Sequence, residues 1–206
     1  LDIKMEDVEA LMNSNLIGTI LMCKTFIPGM RERRQGNVIN ITSVAAHRGG
    51  ARAAMYGTLK AAVAHYTRCL ADELQSFNVR VNALSPGAAT RNGTHHFTIP
   101  DPEAKQAFEH NFRPGLVSPA VAWLAHASCD VSGMLFHAGG GKVSSRQICM
   151  TEGIDDPELT IEAVGAGMGK ILDPASLKPA LDPRDPSVTG TSSATALLVP
   201  KSYQPG

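Results

Sequence analysis

The sequence has few cysteines, and their spacing fits neither a zinc site nor a disulfide framework. Long stretches separate the four, so none forms the C-x2-C pair of a structural zinc site: Cys23, Cys69, Cys129 and Cys149. Disulfide frameworks stabilise short secreted chains, whereas this chain has 206 residues. We therefore expect four unpaired thiols in a reducing compartment.

An excess of charge of either sign is also absent. The 19 Lys and Arg residues balance the 19 Asp and Glu residues, so the formal net charge is zero. A nucleic-acid surface needs a basic excess, and this balance argues against a nucleic-acid partner. No apolar run approaches the roughly 20 residues that cross a bilayer, and the first residues lack the pattern of a secretory signal. We therefore expect no membrane span.

The sequence does contain an ordinary globular composition, with 43% hydrophobic and 18% charged residues. The spacing of its apolar residues predicts helices over residues 7–34, 53–76, 101–111, 118–127 and 158–172. Short apolar runs predict buried strands at residues 37–43, 79–84 and 134–138. This alternation of strands and helices indicates an α/β fold with a partial doubly wound, Rossmann-like parallel sheet.

The composition of the chain changes after residue 172. Six of its 13 prolines fall in residues 173–206, where they are mixed with Ser, Thr and Gly. We predict a flexible Pro-rich tail over that stretch and a catalytic part over residues 1–172. Residues 88–100 are polar and irregular, which favours a lid over a site.

Tyr56 and Lys60 lie one helical turn apart at the start of the second predicted helix. That spacing places both side chains on one helix face, with Cβ atoms roughly 5–6 Å apart. Ser43 and the Ser85-Pro86-Gly87 turn each follow a predicted strand. In open α/β folds, ligands bind at the edge where parallel strands end. The sequence therefore predicts a single crevice flanked by these residues.

With these residues in register, residues 1 to about 150 resemble the short-chain dehydrogenase/reductase family. The shared motifs are Asn15 to Gly18, Gly36 to Ser43, Tyr56 to Lys60 and Arg80 to Gly87. The resemblance implies an oxidoreductase that uses NAD or NADP. It also implies a catalytic tetrad of Asn15, Ser43, Tyr56 and Lys60, and cofactor contacts from Tyr56, Lys60, Pro86, Gly87 and Ala89.

The chemistry of ketone reduction is consistent with these roles. Hydride transfer between nicotinamide and a carbonyl carbon needs a proton at the oxygen. A free phenol holds its proton tightly at neutral pH, but an ammonium about 5.5 Å away favours the ionised phenol by roughly 3 kcal/mol. By resemblance, Ser43 would hold the substrate oxygen near Tyr56, and Lys60 would also bind the nicotinamide ribose. Asn15 would anchor a water that relays protons to Lys60.

Residues 116–143 are similar to the 3-hydroxyacyl-CoA dehydrogenase branch of this family, found in peroxisomal multifunctional enzyme type 2 and its bacterial relatives. This resemblance implies a small-molecule substrate, either a 3-hydroxyacyl-CoA or a hydroxysteroid. It also implies a homo-oligomer paired through the two long helices, located in the cytoplasm, or in the peroxisome of a eukaryote. Many relatives carry Thr where this chain has Arg91, so the cofactor amide contact falls to Thr90, Arg91 or Thr94.

The Gly-rich phosphate turn of the family does not precede Asn15, and neither does the residue that selects NAD or NADP. The chain also starts at Leu1 rather than Met. We therefore expect the sheet to lack its N-terminal strands and the N-terminal cofactor-binding half to be absent. The alternative function is a truncated non-catalytic fragment or interaction module that retains the tetrad. An epimerase or dehydratase of the same family is a third hypothesis.

Two further clusters are predicted not to be sites. The Gly-rich run from Gly165 to Lys170 follows a helical pattern rather than a strand, which is not the context of a phosphate cradle. His95, His96 and His110 lack the acidic or cysteine neighbours of a metal site. We therefore expect no metal.

Overall fold

The structure is a computed structural model, and it describes residues 2–90 and 99–179. The chain divides into two compact units, Leu1–Arg146 and Gln147–Gly206. The first unit carries the larger sheet and all of the residues of the predicted site.

The sheet of the first unit has four strands in the order β1-β2-β3-β4 among the described residues. Its strands are β1 (Gly36–Ile41), β2 (Val79–Gly87), β3 (Leu135–Gly139) and β4 (Lys142–Arg146). The first three run parallel, which confirms the predicted parallel sheet. The fourth, which the sequence did not predict, pairs antiparallel with β3. Gly140 and Gly141 make that hairpin turn with φ angles of +57° and +74°, a region that favours glycine.

The first unit has five α-helices among its described residues: α1 (Met5–Met12), α2 (Gly18–Glu32), α3 (Ala54–Leu74), α4 (Pro102–Asn111) and α5 (Ser118–Ala125). α2 and α3 pack on one face of the sheet and α5 packs on the other, as the doubly wound prediction requires. The predicted helix over residues 7–34 is interrupted by a π-helical turn at Asn13–Ile17, between α1 and α2. Such turns occur frequently at functional sites.

Side chains of β2 point alternately to the two faces of the sheet, so this strand contributes to the core on both sides. Val79 and Val81 pack with residues of α2 and α3 in one buried cluster. Leu84 points to the opposite face and packs with residues of α5 in a second cluster. Because successive side chains of a strand face opposite sides, one strand serves both layers. This packing fixes α3, which carries Tyr56 and Lys60, against the sheet.

The helical segment Met5–Glu32 is long and apolar enough to cross a membrane, judged by length and composition only. Its most apolar window has a mean hydropathy of 1.2, and 11% of that window is buried. The expectation of no membrane span missed this segment because it considered only uninterrupted apolar runs. Two residues of the same segment, Cys23 and Ile27, belong to the buried cluster that α2 forms with α3 and β2.

The second unit is described over residues 147–179. It contains α6 (Ile161–Ile171) and a short antiparallel pair, β5 (Cys149–Met150) with β6 (Lys178–Pro179). The Gly-rich run lies within α6, and Thr160 caps the helix by accepting a hydrogen bond from the backbone N–H of Ala163 at 3.1 Å. Residues 180–206 of the predicted tail lie outside the described residues.

Candidate active site

The carboxyl ends of β1 and β2 lie side by side. Their register pairs Ile41 with Leu84, and the backbone N–H of Thr42 continues the ladder by donating to the Leu84 carbonyl at 2.9 Å. Ser43 therefore follows β1 at the edge where β2 reaches Pro86. The structure brings the two strand ends together, as the sequence predicted.

Ser43 caps a short 3-10 turn at Val44–Ala46. Its Oγ accepts a hydrogen bond from the backbone N–H of Ala45 at 3.2 Å. This bond uses a lone pair and leaves the hydroxyl hydrogen able to donate. Ser43 is thus held at the sheet edge in a form that can bind a carbonyl oxygen.

The first turn of α3 lies against this 3-10 turn because residue 57 is glycine. A Cβ at Gly57 would lie 2.7 Å from the carbonyl oxygen of Ala45, closer than real Cβ contacts allow. A second link comes from Thr42, whose Oγ1 donates to the Lys60 carbonyl at 2.8 Å. Together these contacts fix the start of α3 beside Ser43.

Lys60 lies between the end of β1 and Tyr56. Its Nζ donates to the Ile41 carbonyl at 3.0 Å and lies 5.8 Å from the centroid of the Tyr56 ring. Burial lowers the pKa of Lys60 from its ordinary value of 10.5. The Tyr56 side chain is 39% exposed, so its phenol can meet a ligand from solvent. The predicted helical pair is therefore present at the predicted edge.

Asn15 lies in the π-helical turn that packs against α3. Its Nδ2 donates to the Leu11 carbonyl at 3.0 Å and to Ser14 Oγ at 3.0 Å. The amide nitrogen is thus bonded within its own helix, while the amide oxygen can still accept a hydrogen bond. The structure places Asn15 next to the helix of Tyr56 and Lys60, and its relay role stays a prediction.

An apolar cavity of about 450 Å³ opens beside the end of β2. This volume lies within the usual range of small-molecule sites. Its lining combines the strand end with the segment before α5 and α5 itself: Pro86, Ala88, Pro114, Val117, Ser118, Val121 and Ala122. The backbone N–H of Ala89 donates to the Phe112 carbonyl at 2.7 Å, so any cofactor contact of Ala89 would use its carbonyl or methyl group.

Several residues weighed from the sequence lie outside the described part of the chain. These are Arg91 and Thr94, which were alternatives for the cofactor amide, and His95 and His96. Within residues 2–90 and 99–179, no group of three or more His, Cys, Asp or Glu side chains could hold a metal ion. All four cysteines lie in that part and are free thiols.

The sequence interpretation missed two glycines and a polar pair at this edge. Gly57 lies inside a helix, where glycine costs about 1 kcal/mol relative to alanine. A glycine at such a position could have indicated that another part of the chain packs closely against the helix. Gly139 packs against the Gly87 backbone, and a Cβ there would lie 2.5 Å from the Gly87 oxygen. Ser85 and His137 are register partners on β2 and β3, and no sequence pattern indicated their proximity.

A pH series on Lys60→Met tests whether the partial burial of Lys60 lowers its pKa. The folded state should bind fewer protons than the unfolded state as pH approaches 10.5, since burial lowers the Lys60 pKa. The free energy of unfolding of the wild type should therefore rise as pH increases through that window. Lys60→Met has no ammonium at this position, so its free energy of unfolding should lack this rise. Denaturant unfolding of both proteins at a series of alkaline pH values measures the difference. A difference that stays constant with pH would contradict the lowered pKa of Lys60.

Comparison with known proteins places these residues in a family. A family model described as short chain dehydrogenase matches residues 1–98. A 3-oxoacyl-[acyl-carrier-protein] reductase from Synechocystis is 32% identical over 145 residues, covering 69% of this chain and 59% of the reductase. The chain thus spans about three fifths of that relative, and 35% of a carbonyl reductase family member 4 from Xenopus laevis.

Solved structures show the same fold. A 3-oxoacyl-[acyl-carrier protein] reductase from Brucella melitensis, with bound NAD, is 28% identical with a TM-score of 0.56, covering 68% of this chain and 53% of that one. Peroxisomal multifunctional enzyme type 2 from Drosophila melanogaster has a TM-score of 0.76 at 21% identity, covering 88% of this chain and 32% of that one. Over the residues that the family model matches, 1–98, the chain belongs to the short-chain dehydrogenase/reductase family.

Proposed function

We propose that this protein is an NAD(P)-dependent oxidoreductase that interconverts a secondary alcohol and a ketone. The observation that carries the proposal is the position of Lys60, whose Nζ is held by the Ile41 carbonyl 5.8 Å from the Tyr56 ring. An ammonium so placed favours an ionised phenol, which is the form that takes a proton from an alcohol. Ser43 lies on the adjoining turn, where it can bind the alcohol oxygen.

In this proposal each residue acts on the substrate oxygen or on its proton. The nicotinamide, when bound, supplies or accepts the hydride. Ser43 donates a hydrogen bond to the substrate oxygen, and Tyr56 gives that oxygen a proton during reduction and takes one during oxidation. Lys60 stabilises the ionised phenol, and Asn15 anchors the water through which Lys60 exchanges protons with solvent.

The described residues fit the nicotinamide half of the cofactor. At the end of β2, Pro86 lines an apolar cavity with room for an aromatic ring, and Gly87 follows it in the chain. Lys60 and Tyr56 supply polar atoms for the ribose. The residues before β1 form helices and hold no Gly-rich turn, so within the described chain nothing is assigned to the pyrophosphate or to the choice between NAD and NADP.

For the substrate, we propose a 3-hydroxyacyl or 3-oxoacyl thioester rather than a hydroxysteroid. The Synechocystis relative is named for a 3-oxoacyl carrier-protein substrate, and its match covers residues of the site. Product analysis after incubation with each class separates them.

A titration of the full chain with NADH and with NADPH tests the proposed function. We expect saturable binding of NADH or NADPH with a micromolar dissociation constant. We also expect the bound cofactor to be oxidised when acetoacetyl-CoA is added as the ketone. Absence of binding to both would overturn the oxidoreductase and favour the non-catalytic interaction module. Binding with dehydration or epimerisation of a 3-hydroxyacyl-CoA would instead favour the third hypothesis.

We also propose that the protein forms a homo-oligomer through α2 and α3. Its proposed location is the cytoplasm or, in a eukaryote, the peroxisome. Met22 and Phe26 lie one turn apart on α2 and are 59% and 55% exposed. Paired apolar helix faces of this kind bury such side chains in symmetric dimers.

Introducing two acidic residues on that helix face tests the oligomer. The double variant Met22→Glu, Phe26→Glu places like charges across a symmetric interface, and we expect gel filtration to show a monomer where the wild type is a dimer or larger. Lys24→Glu, on the opposite side of the same helix, is the control and should leave the oligomer intact. A wild-type monomer would contradict the proposal.

A further inference from the structure

A row of polar residues crosses the sheet just below the candidate active site. Ser85 of β2 pairs with His137 of β3, and His137 pairs in turn with Ser144 of β4. On the other side of Ser85, Thr42 follows the last register pair of β1, and its N–H bonds to Leu84. Three strand residues and Thr42, directly after β1, thus carry side chains with hydrogen-bonding groups at one level of the sheet.

This row faces α3. Ala83 and Leu135, two residues before Ser85 and His137, form a buried cluster with Ala64 of α3. Residues two apart on a strand share a face, so Ser85 and His137 also point toward α3. Thr42 reaches the same helix, because its Oγ1 donates to the Lys60 carbonyl. Thr42 therefore lies under the first turns of α3, and Ser85 and His137 point to the same face of the sheet.

Two atoms of this row are buried without a hydrogen-bond partner among the described residues. They are the Oγ of Ser85, whose side chain is fully buried at 0% exposure, and Nδ1 of His137. A buried hydroxyl or ring nitrogen left unpaired costs about 1–3 kcal/mol, so native proteins satisfy such groups with protein atoms or ordered water. The two atoms belong to adjacent residues of neighbouring strands and face the same side.

The ring of His137 also lies beside the end of β2, on the α3 face of the sheet. A Cβ on Gly87 would lie 3.2 Å from Cε1 and 3.6 Å from Nε2 of that ring. The ring therefore fills the space beside Gly87, directly after Pro86. A shift of the ring would move the segment that borders the proposed nicotinamide site.

We propose that Ser85 Oγ and His137 Nδ1 together bind one ordered water beneath α3, and that this water positions the His137 ring against Gly87. A buried water usually has two to four polar partners, and Thr42 supplies the third polar group at this level. Ser85 and His137 are then positioning residues of the cofactor-binding edge. The water site stands by itself, whereas its effect on cofactor binding rests on the proposed function.

A high-resolution crystal structure of the full chain tests the water directly. We expect density for a water within hydrogen-bonding distance of both Ser85 Oγ and His137 Nδ1. A direct hydrogen bond between the two side chains, or no density between them, would overturn the water site. This readout does not depend on any enzymatic activity.

Four variants test the positioning role. We expect Ser85→Ala to lose the water, and His137→Leu to raise the dissociation constant for the nicotinamide cofactor by about tenfold, because a small displacement at a binding edge has a large effect. His137→Asn keeps an amide near the position of Nδ1 and should restore most of the affinity. The control Ser145→Ala, on the exposed neighbour in β4, should change nothing.

The outcomes separate the inference from the proposed function. If wild-type protein binds neither NADH nor NADPH, the proposed function fails, while the crystallographic water still decides the site. If wild type binds cofactor but His137→Leu and Ser85→Ala bind it equally well, the positioning role is wrong and the proposed function stands.

Discussion

Replacement of Tyr56 by Phe is expected to lower kcat for ketone reduction by about 10²–10⁴-fold, the usual contribution of a general acid. The variant removes only the phenolic oxygen, so the ring should stay beside Lys60, whose Nζ is tethered to the Ile41 carbonyl. The cofactor dissociation constant should change by less than about threefold, because most of the cofactor contacts are kept. Stopped-flow turnover together with equilibrium titration measures the two quantities separately.

Tyr66→Phe is the matched control for that experiment. It removes the same hydroxyl from the same helix, at a residue packed against the buried cluster of α2 and α3 rather than at the sheet edge. Its kcat should stay within about twofold of the wild-type value. Equal losses in the two variants would show that a hydroxyl on α3 affects stability rather than proton transfer, and the proposed role of Tyr56 would be wrong.

Replacement of Gly139 by Ala is expected to lower the free energy of unfolding by about 1–3 kcal/mol, the usual cost of overpacking. The added Cβ would lie 2.5 Å from the oxygen and 2.8 Å from the Cα of Gly87. Both are backbone atoms, so β2 and β3 must separate at their carboxyl ends. Urea unfolding monitored by circular dichroism measures the change.

Gly115→Ala is the control for this second prediction. It adds the same methyl group where no heavy atom of the described structure lies within 4 Å. Its free energy of unfolding should stay within about 0.5 kcal/mol of wild type. If Gly139→Ala is equally mild, the close approach of the two strand ends is not present in solution.

Periodicity and turn chemistry were enough to predict the parallel strands and the large helices. The run at residues 37–43 became β1, and the alanine-rich run at 53–76 became α3. The antiparallel strand β4 escaped prediction because its residues, Lys142 to Arg146, carry little β propensity. An edge strand of this kind forms because β3 offers it hydrogen bonds, which is information from elsewhere in the chain.

For the site too, features set by local spacing could be predicted from the sequence, and features set by contacts within the fold could not. Helical spacing alone places Tyr56 and Lys60 on one face, and strand ends place Ser43 and Pro86 at one edge. Spacing could not reveal that Asn15 lies in a π-helical turn with its amide nitrogen bonded to the Leu11 carbonyl, because a turn of five residues is too short to show an apolar period of its own. It also could not reveal that the Ala89 N–H is bonded to Phe112.

The bond from Lys60 to the Ile41 carbonyl gives the positive charge a fixed location before any ligand arrives. A free lysine side chain loses up to about 2 kcal/mol of rotamer entropy when it is immobilised. Lys60 is immobilised when the protein folds, so this entropy is not lost again when a ligand binds. The charge is also set against a peptide dipole of the sheet, which cannot reorient as a proton moves. Arginine, with a planar head and different donor directions, would not reproduce this electrostatic preorganisation.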